Sequence, residues 1–106
     1  MIKLESRHTW TDDQIHELTE KALANDQTVI EDLIDAYLPV AIRSASWYIR
    51  RAPRKKDDII SAGLEGLVVA CNRACNGHLK DENIEKYIKS IVRWSVQDFL
   101  KKDFFP

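Results

Sequence analysis

Glycine and proline are scarce in this chain, three of each in 106 residues. That leaves little material for the tight turns that a many-stranded sheet needs between its strands. Cysteine is scarcer still: Cys71 and Cys75 are too few for a disulfide scaffold. No apolar run is long enough to span a bilayer, the longest plain one covering residues 67–71. The first residues, Met1, Ile2, Lys3, Leu4 and Glu5, carry no apolar core of signal-peptide length, so a reducing cytoplasm and no membrane contact are expected. There is no glycine-rich phosphate loop, and His8, His16 and His78 are scattered away from any plausible nucleophile. Neither an enzyme nor a cofactor is expected.

What remains is an ordinary globular balance, 44% apolar and 31% charged residues, in a chain the length of one domain. Its apolar residues recur at steps of three and four, which predicts an all-α fold, a compact bundle of four to five helices spanning residues 1–106. Thr11 followed by Asp12, Asp13 and Gln14 has the form of a capping box opening a first helix. Ile15, Leu18, Ala22 and Leu23 continue it, and it should end near Ala24 and Asn25. Asp26 is the expected N-cap of the next helix, whose stripe runs Ile30, Leu33, Ile34, Tyr37, Ala41, Ala45, Tyr48. That stripe keeps its phase through Pro39, so one kinked helix is expected, at a cost of about 3 kcal/mol for the interior proline.

After a break at residues 52–56, Asp57 and Asp58 open a third helix with Ile59, Ile60, Gly63, Leu64, Leu67, Val68 and Cys71 facing inward. Gly63 and Gly66 each cost about 1 kcal/mol relative to Ala in a helix, so another helix is expected to approach closely there. Residues 76–83 read as a polar loop. The last helix should bury Ile84, Tyr87, Ile88, Ile91, Ser95 and Phe99 and expose Lys86, Lys89, Ser90, Arg93, Gln97 and Lys101.

The net charge of −1 hides an asymmetry: residues 1–38 carry three basic and nine acidic groups, residues 39–106 thirteen and eight. Residues 43–56 hold six basic groups and no acid. A basic face of this kind attracts nucleic acid even on a neutral protein, though a solvated helix surface has the same composition. On the last helix Lys86, Lys89, Arg93 and Lys101 suit phosphates, and the Gln97 amide suits an adenine edge. Trp94 lies at the border of the stripe, where partial burial is expected ahead of stacking on a base. Cys71, Cys75 and His78 have metal-like spacing, but a structural zinc site takes four ligands and no fourth is near; buried thiols and no metal are expected.

In this order, the motifs resemble region 2 of bacterial sigma factors (the sigma-70 family), especially the short extracytoplasmic-function type. Residues 15–38 look like the family's opening, with Asn25 and Asp26 where Gly-Asp is usual, and Pro39 follows an aromatic as it does there. Residues 57–67 resemble the helix that docks on the coiled coil of the polymerase β′ clamp, with Ser61 and Ala62 in place of Gln-Glu. Ile84, Tyr87, Ile88, Ile91, Val92, Arg93 and Trp94, followed by residues 98–102, resemble the promoter-reading helix, with Trp94 in place of a frequent Asn.

The resemblance covers residues 15–102 and leaves 103–106 as a short tail. It implies a sigma-like transcription initiation module. Asp57, Asp58, Ser61, Ala62, Leu64 and Glu65 would bind core RNA polymerase. Lys86, Lys89, Ser90, Arg93, Trp94, Gln97 and Lys101 would engage −10 promoter DNA and its non-template strand. His78, Lys80 and Asn83, in the loop before that helix, would capture a flipped base, whose extraction costs a few kcal/mol. No room follows Lys102 for the helix-turn-helix domain that reads the −35 element. A fragment is one expectation. The other is a stand-alone form, such as a phage encodes, working in a bacterial or phage-infected cell beside a second protein that supplies −35 recognition. Two alternatives stay open: a polymerase-binding regulator (a decoy, appropriator or anti-sigma-like protein) that does not read DNA, and a helical interaction domain unrelated to transcription.

Overall fold

The computed structural model of the protein describes residues 9–77 and 83–104. Four helices account for most of them: α1 (Asp12–Leu23), α2 (Ile30–Arg51), α3 (Lys56–Ala74) and α4 (Ile84–Phe104). Two short 3-10 turns, Gln27–Val29 and Pro53–Lys55, join α1 to α2 and α2 to α3. There is no strand among the described residues, so the fold is an all-α bundle.

The start of α1 follows its sequence. The Thr11 hydroxyl accepts from the Gln14 N–H at 3.2 Å, and the Gln14 side chain accepts from the Thr11 N–H at 3.0 Å. Each bond satisfies a donor that the first helical turn would otherwise leave without a partner. Beyond α1 the chain reverses through Asn25 at φ 66°, a left-handed conformation that Asn tolerates better than most side chains. Asp26 then caps the 3-10 turn rather than α2: its carboxylate accepts from the Thr28 N–H at 2.9 Å and the Thr28 hydroxyl at 2.6 Å. Those bonds hold its pKa below the usual carboxylate value, the side-chain bond contributing most. The expected N-cap is thus real but one turn early, because the extra 3-10 turn precedes Ile30.

α2 runs unbroken through Pro39, which faces solvent. The side of the helix that holds it in place is the stripe read from sequence: Leu33, Tyr37, Ala41, Ala45 and Tyr48 are buried, and Ile30 and Ile34 are half-buried. Each fully buried residue the size of Leu contributes about 1.5–3 kcal/mol, so a few of them offset the lost proline bond. α2 also buries a carboxylate. Asp35 is 6% exposed and accepts from the Trp10 indole N–H at 2.8 Å, which ties the segment before α1 to the middle of α2.

α3 packs on α2 and α4 with its smallest residues. Ala62, Gly63, Gly66, Ala70 and Ala74 are buried, together with Ile59, Ile60, Leu67 and Cys71. The predicted inward face is corrected at Val68, which is 42% exposed, and Leu64 is only half-buried. Close approach turns the helix toward its glycine and alanine side, and Val68 is carried outward. The closest seam is at Gly66, where an added Cβ would meet Ser95 Oγ at 2.7 Å and the Ile91 carbonyl oxygen at 3.1 Å.

α4 shows the same kind of rotation. Ile84, Ile88, Val92 and Val96 form its fully buried line, at steps of four. Of the expected stripe, Tyr87, Ile91, Ser95 and Phe99 are half-buried along one flank. The deepest line faces between α2 and α3 because α4 packs against both. Cys71 and Cys75 sit beneath it as free, buried thiols. Burial, with a smaller contribution from Cys75, pushes the Cys71 thiol up to about 12. Burial likewise raises the Cys75 thiol, with Asp26 adding to it.

Candidate functional site

With its core line fixed, α4 presents two outward flanks, and each closes a groove with a different neighbour. On one flank Lys86, Lys89, Arg93 and Gln97 face Arg43, Ser44, Trp47 and Tyr48 of α2 across a groove of about 780 Å³. The lining carries four cationic side chains and no carboxylate. Gln97 bridges the two walls, donating from Nε2 to the Tyr48 hydroxyl at 2.8 Å. Its amide is therefore held in one orientation.

Two of the cations have local partners. Lys89 Nζ lies 3.3 Å from a Glu85 carboxylate oxygen, an exposed pair worth little in water. Arg93 donates from Nε to the Lys89 carbonyl at 3.3 Å. That bond leaves the outer nitrogens of the guanidinium as donors for an anion. Trp47 is 48% exposed at the groove. The Arg51 guanidinium stacks over its ring, 3.3 Å from the centroid, and donates to the Trp47 carbonyl at 3.0 Å. The Tyr48 ring meets Trp47 edge-on, with centroids 4.8 Å apart. The indole is thus braced by Arg51, four residues on, and by its neighbour in sequence, Tyr48.

A smaller recess of about 470 Å³ adjoins this groove and shares Lys86 and Arg93 with it, its other walls being Asn83, Tyr87 and Ser90. Asn83 caps α4: its side-chain oxygen accepts from the Lys86 N–H at 3.2 Å and its carbonyl from the Tyr87 N–H at 3.0 Å. Lys101 is exposed further along α4 and lines neither space. His78 and Lys80 lie outside the described residues.

The other flank of α4 faces α3. Asp58, Ser61, Ala62, Glu65, Val69 and Arg73 of α3 oppose Trp94, Ser95, Asp98 and Lys102 of α4 across a second groove of about 470 Å³. Asp57, Asp58, Ser61 and Glu65 are exposed, whereas Ala62 is buried and Leu64 half-buried. Trp94 corrects the expectation of partial burial: it is 63% exposed and sits on the α3 side, apart from the cationic groove. Its ring is carried out of the core because the buried line of α4 passes through Val92 and Val96.

The structure therefore brings Lys86, Lys89, Arg93 and Gln97 together at one groove, and Asn83, Lys86, Ser90 and Arg93 at the adjoining recess. The α2 wall was not among the residues singled out from sequence. The run of six basic groups in residues 43–56 was its only signal, and it did not point to Trp47. Among the described residues no cluster of His, Cys, Asp and Glu is arranged to hold a metal ion. No described helix is long and apolar enough to cross a membrane. No protein-family model, curated protein or solved structure matches the chain.

Proposed function

We propose that this chain is a sigma-like transcription initiation module, docking on core RNA polymerase through α3 and engaging promoter DNA through α4. The observation that carries the reading is the groove between α2 and α4, where Arg43, Lys86, Lys89 and Arg93 converge and the lining holds no carboxylate, Glu85 standing outside it against Lys89. Such a surface attracts the phosphate backbone, which supplies most of the salt-dependent affinity in protein–DNA contacts. The opposite flank supports a separate protein contact. There Asp58, Ser61 and Glu65 of α3 meet the exposed Trp94 and Val69, a mixture of apolar surface and charge typical of interfaces. Two surfaces of different chemistry, sharing one helix, suit a protein that joins DNA to a polymerase.

The test is retention of bacterial core polymerase on the immobilised protein, followed by transcription from a promoter library. Retention that is lost in Glu65→Lys, together with promoter-dependent transcripts, is the expected result. Retention without such transcripts makes the chain a polymerase-binding regulator instead. Absence of any retention removes transcription from the account and leaves a helical interaction domain.

A further inference from the structure

We propose that the face formed by α3 and α4 is a twofold interface with a second copy of this chain, centred on Val69 and Trp94, in which Glu65 of each copy pairs with Arg73 of the other. The interface lies away from the cationic groove and takes nothing from the DNA reading. Its starting point is Trp94, the most exposed large apolar residue among those described, at 63%. The other exposed indole, Trp47, is covered by Arg51 and buttressed by Tyr48. Trp94 has no ring contact and no side-chain hydrogen bond among the described residues. Across the groove from it Val69 is 36% exposed, and Val68 beside Val69 is 42% exposed. An indole standing clear beside two exposed valines is apolar surface of the kind that marks a protein contact.

The charges around this patch say which protein. Glu65, Val69 and Arg73 follow one another at steps of four and share one face of α3. Glu65 and Arg73 are both exposed, and neither has an ion-pair partner among the described residues. Eight residues apart, they are separated by about 12 Å along the helix, too far to pair within one chain. Lys102 does not compete for Glu65, being held by Asp98 at 3.1 Å. A twofold axis through Val69 reverses α3 end for end. It lays Val69 on its own copy and brings each Arg73 opposite the other copy's Glu65. Two equivalent ion pairs then flank an apolar centre, the self-complementary arrangement of a twofold contact. A different partner has no need of an acid and a base set at equal distances on either side of the patch. A net charge of −1 puts little repulsion between two copies.

The contact also covers Glu65, one of the residues given to the polymerase in the proposed function. On that reading the dimer is a stored form that must part before α3 can dock. The dimer itself does not rest on it.

The test is sedimentation of the whole chain, without DNA or polymerase, over about 1 µM to 1 mM, the range of a small transient contact. The wild type should pass from monomer to dimer within it. Trp94→Ala should move that passage to at least about 30-fold higher concentration, since a twofold contact loses the side chain twice. Glu65→Arg and Arg73→Glu should each stay monomeric, like charges then facing each other at both pair positions. An equimolar mixture of these two variants should dimerise again, because every cation of one then meets a carboxylate of the other. Circular dichroism should show unchanged helicity, all three positions being exposed. A wild type that is monomeric throughout overturns the proposal. So does a dimer indifferent to Trp94→Ala, or a mixture that stays monomeric. Dimers restored in the mixture, by a chain that retains no polymerase, would keep this interface and sink the sigma-like reading. Retention of polymerase by a chain that never dimerises would do the reverse, so the two failures are distinguishable.

Discussion

The two flanks of α4 differ more than their shared helix suggests. Toward α2 the lining has four cations and no carboxylate; toward α3 it has Asp58, Glu65 and Asp98 against Arg73 and Lys102. Lys102 is moreover paired with Asp98 at 3.1 Å. The packing beneath them differs as well. The α3 side is fastened at Gly66, with no room for a side chain. The α2 side is spanned by one hydrogen bond between long side chains, Gln97 and Tyr48. A tight seam leaves a shallow surface with fixed spacing, suited to a protein face. A bridged gap leaves a groove that a DNA backbone can enter. A single helix thus supports two chemistries because its neighbours stand at different distances.

The largest expected effect comes from forcing the tight seam apart. Gly66→Leu drives a side chain into Ser95 and the Ile91 carbonyl, and should destabilise the fold by about 3 kcal/mol, the upper end for overpacking. A urea titration measures it. A midpoint close to that of the wild type would show that the seam has slack, and the contrast between the flanks would lose its basis. The fraction that stays folded should still bind promoter DNA, since the α2–α4 groove takes no wall from α3.

Charge reversal attacks the contrast from the other side. Arg43→Glu combined with Arg93→Glu should lower promoter DNA affinity about 100-fold and reduce its log–log salt slope by about 1.8, two phosphate contacts at about 0.9 each. Asp58→Lys with Glu65→Lys should leave both quantities unchanged while altering capture of polymerase. If the second pair changes DNA binding as much as the first, the two grooves are not separate sites.

Much of the fold was legible because it depends on local rules. The Thr11 and Gln14 capping box needs only a spacing of three, and the α2 stripe needs only helical periodicity. What periodicity misjudged was rotation. A stripe is drawn through the largest apolar residues, but α3 buries Gly66, Ala70 and Ala74 because small residues let backbones meet, and Val68 is turned out in consequence. The cationic half of the groove on α4 was legible as a charged face. Its α2 wall was not, because Tyr48 and Gln97 are 49 residues apart and nothing local to either announces the other. Trp47 lay in a basic run that read equally well as a solvated surface.

High pH probes the α2 and α3 sides of the core, since the α4 line of Ile84, Ile88, Val92 and Val96 carries no ionisable group. The Cys71 thiol is raised by burial from an ordinary 9.0 to about 12. The unfolded chain therefore releases this proton first, and between those values it holds fewer protons than the native state. Stability is intact below pH 9 and falls as pH rises toward 12, Cys71 alone removing about 1.4 kcal/mol by pH 10. Tyr37, raised mainly by burial, steepens the loss at higher pH. Cys71→Ala should start less stable at neutral pH and decline less between pH 8 and 10, measured by urea midpoints. Parallel declines in the two proteins would refute the assignment.

The smallest effect sharpens the comparison within α3 itself. Gly63 and Gly66 look equivalent in sequence, yet a Cβ at Gly63 would meet Ala45 Cβ at 3.5 Å and Val92 Cγ1 at 3.6 Å, ordinary contact distances. Gly63→Ala therefore gains helix propensity without a clash and should stabilise the fold by up to about 1 kcal/mol. Gly66→Ala gains the same propensity and loses it to Ser95 and the Ile91 carbonyl, so its midpoint should fall below that of the wild type. Thermal melts of the two variants side by side decide the matter. Opposite shifts mean that close approach is required at one glycine only, where α4 meets α3. Two increases would mean that neither glycine is needed for packing, and that the tight seam does not set the flanks of α4 apart.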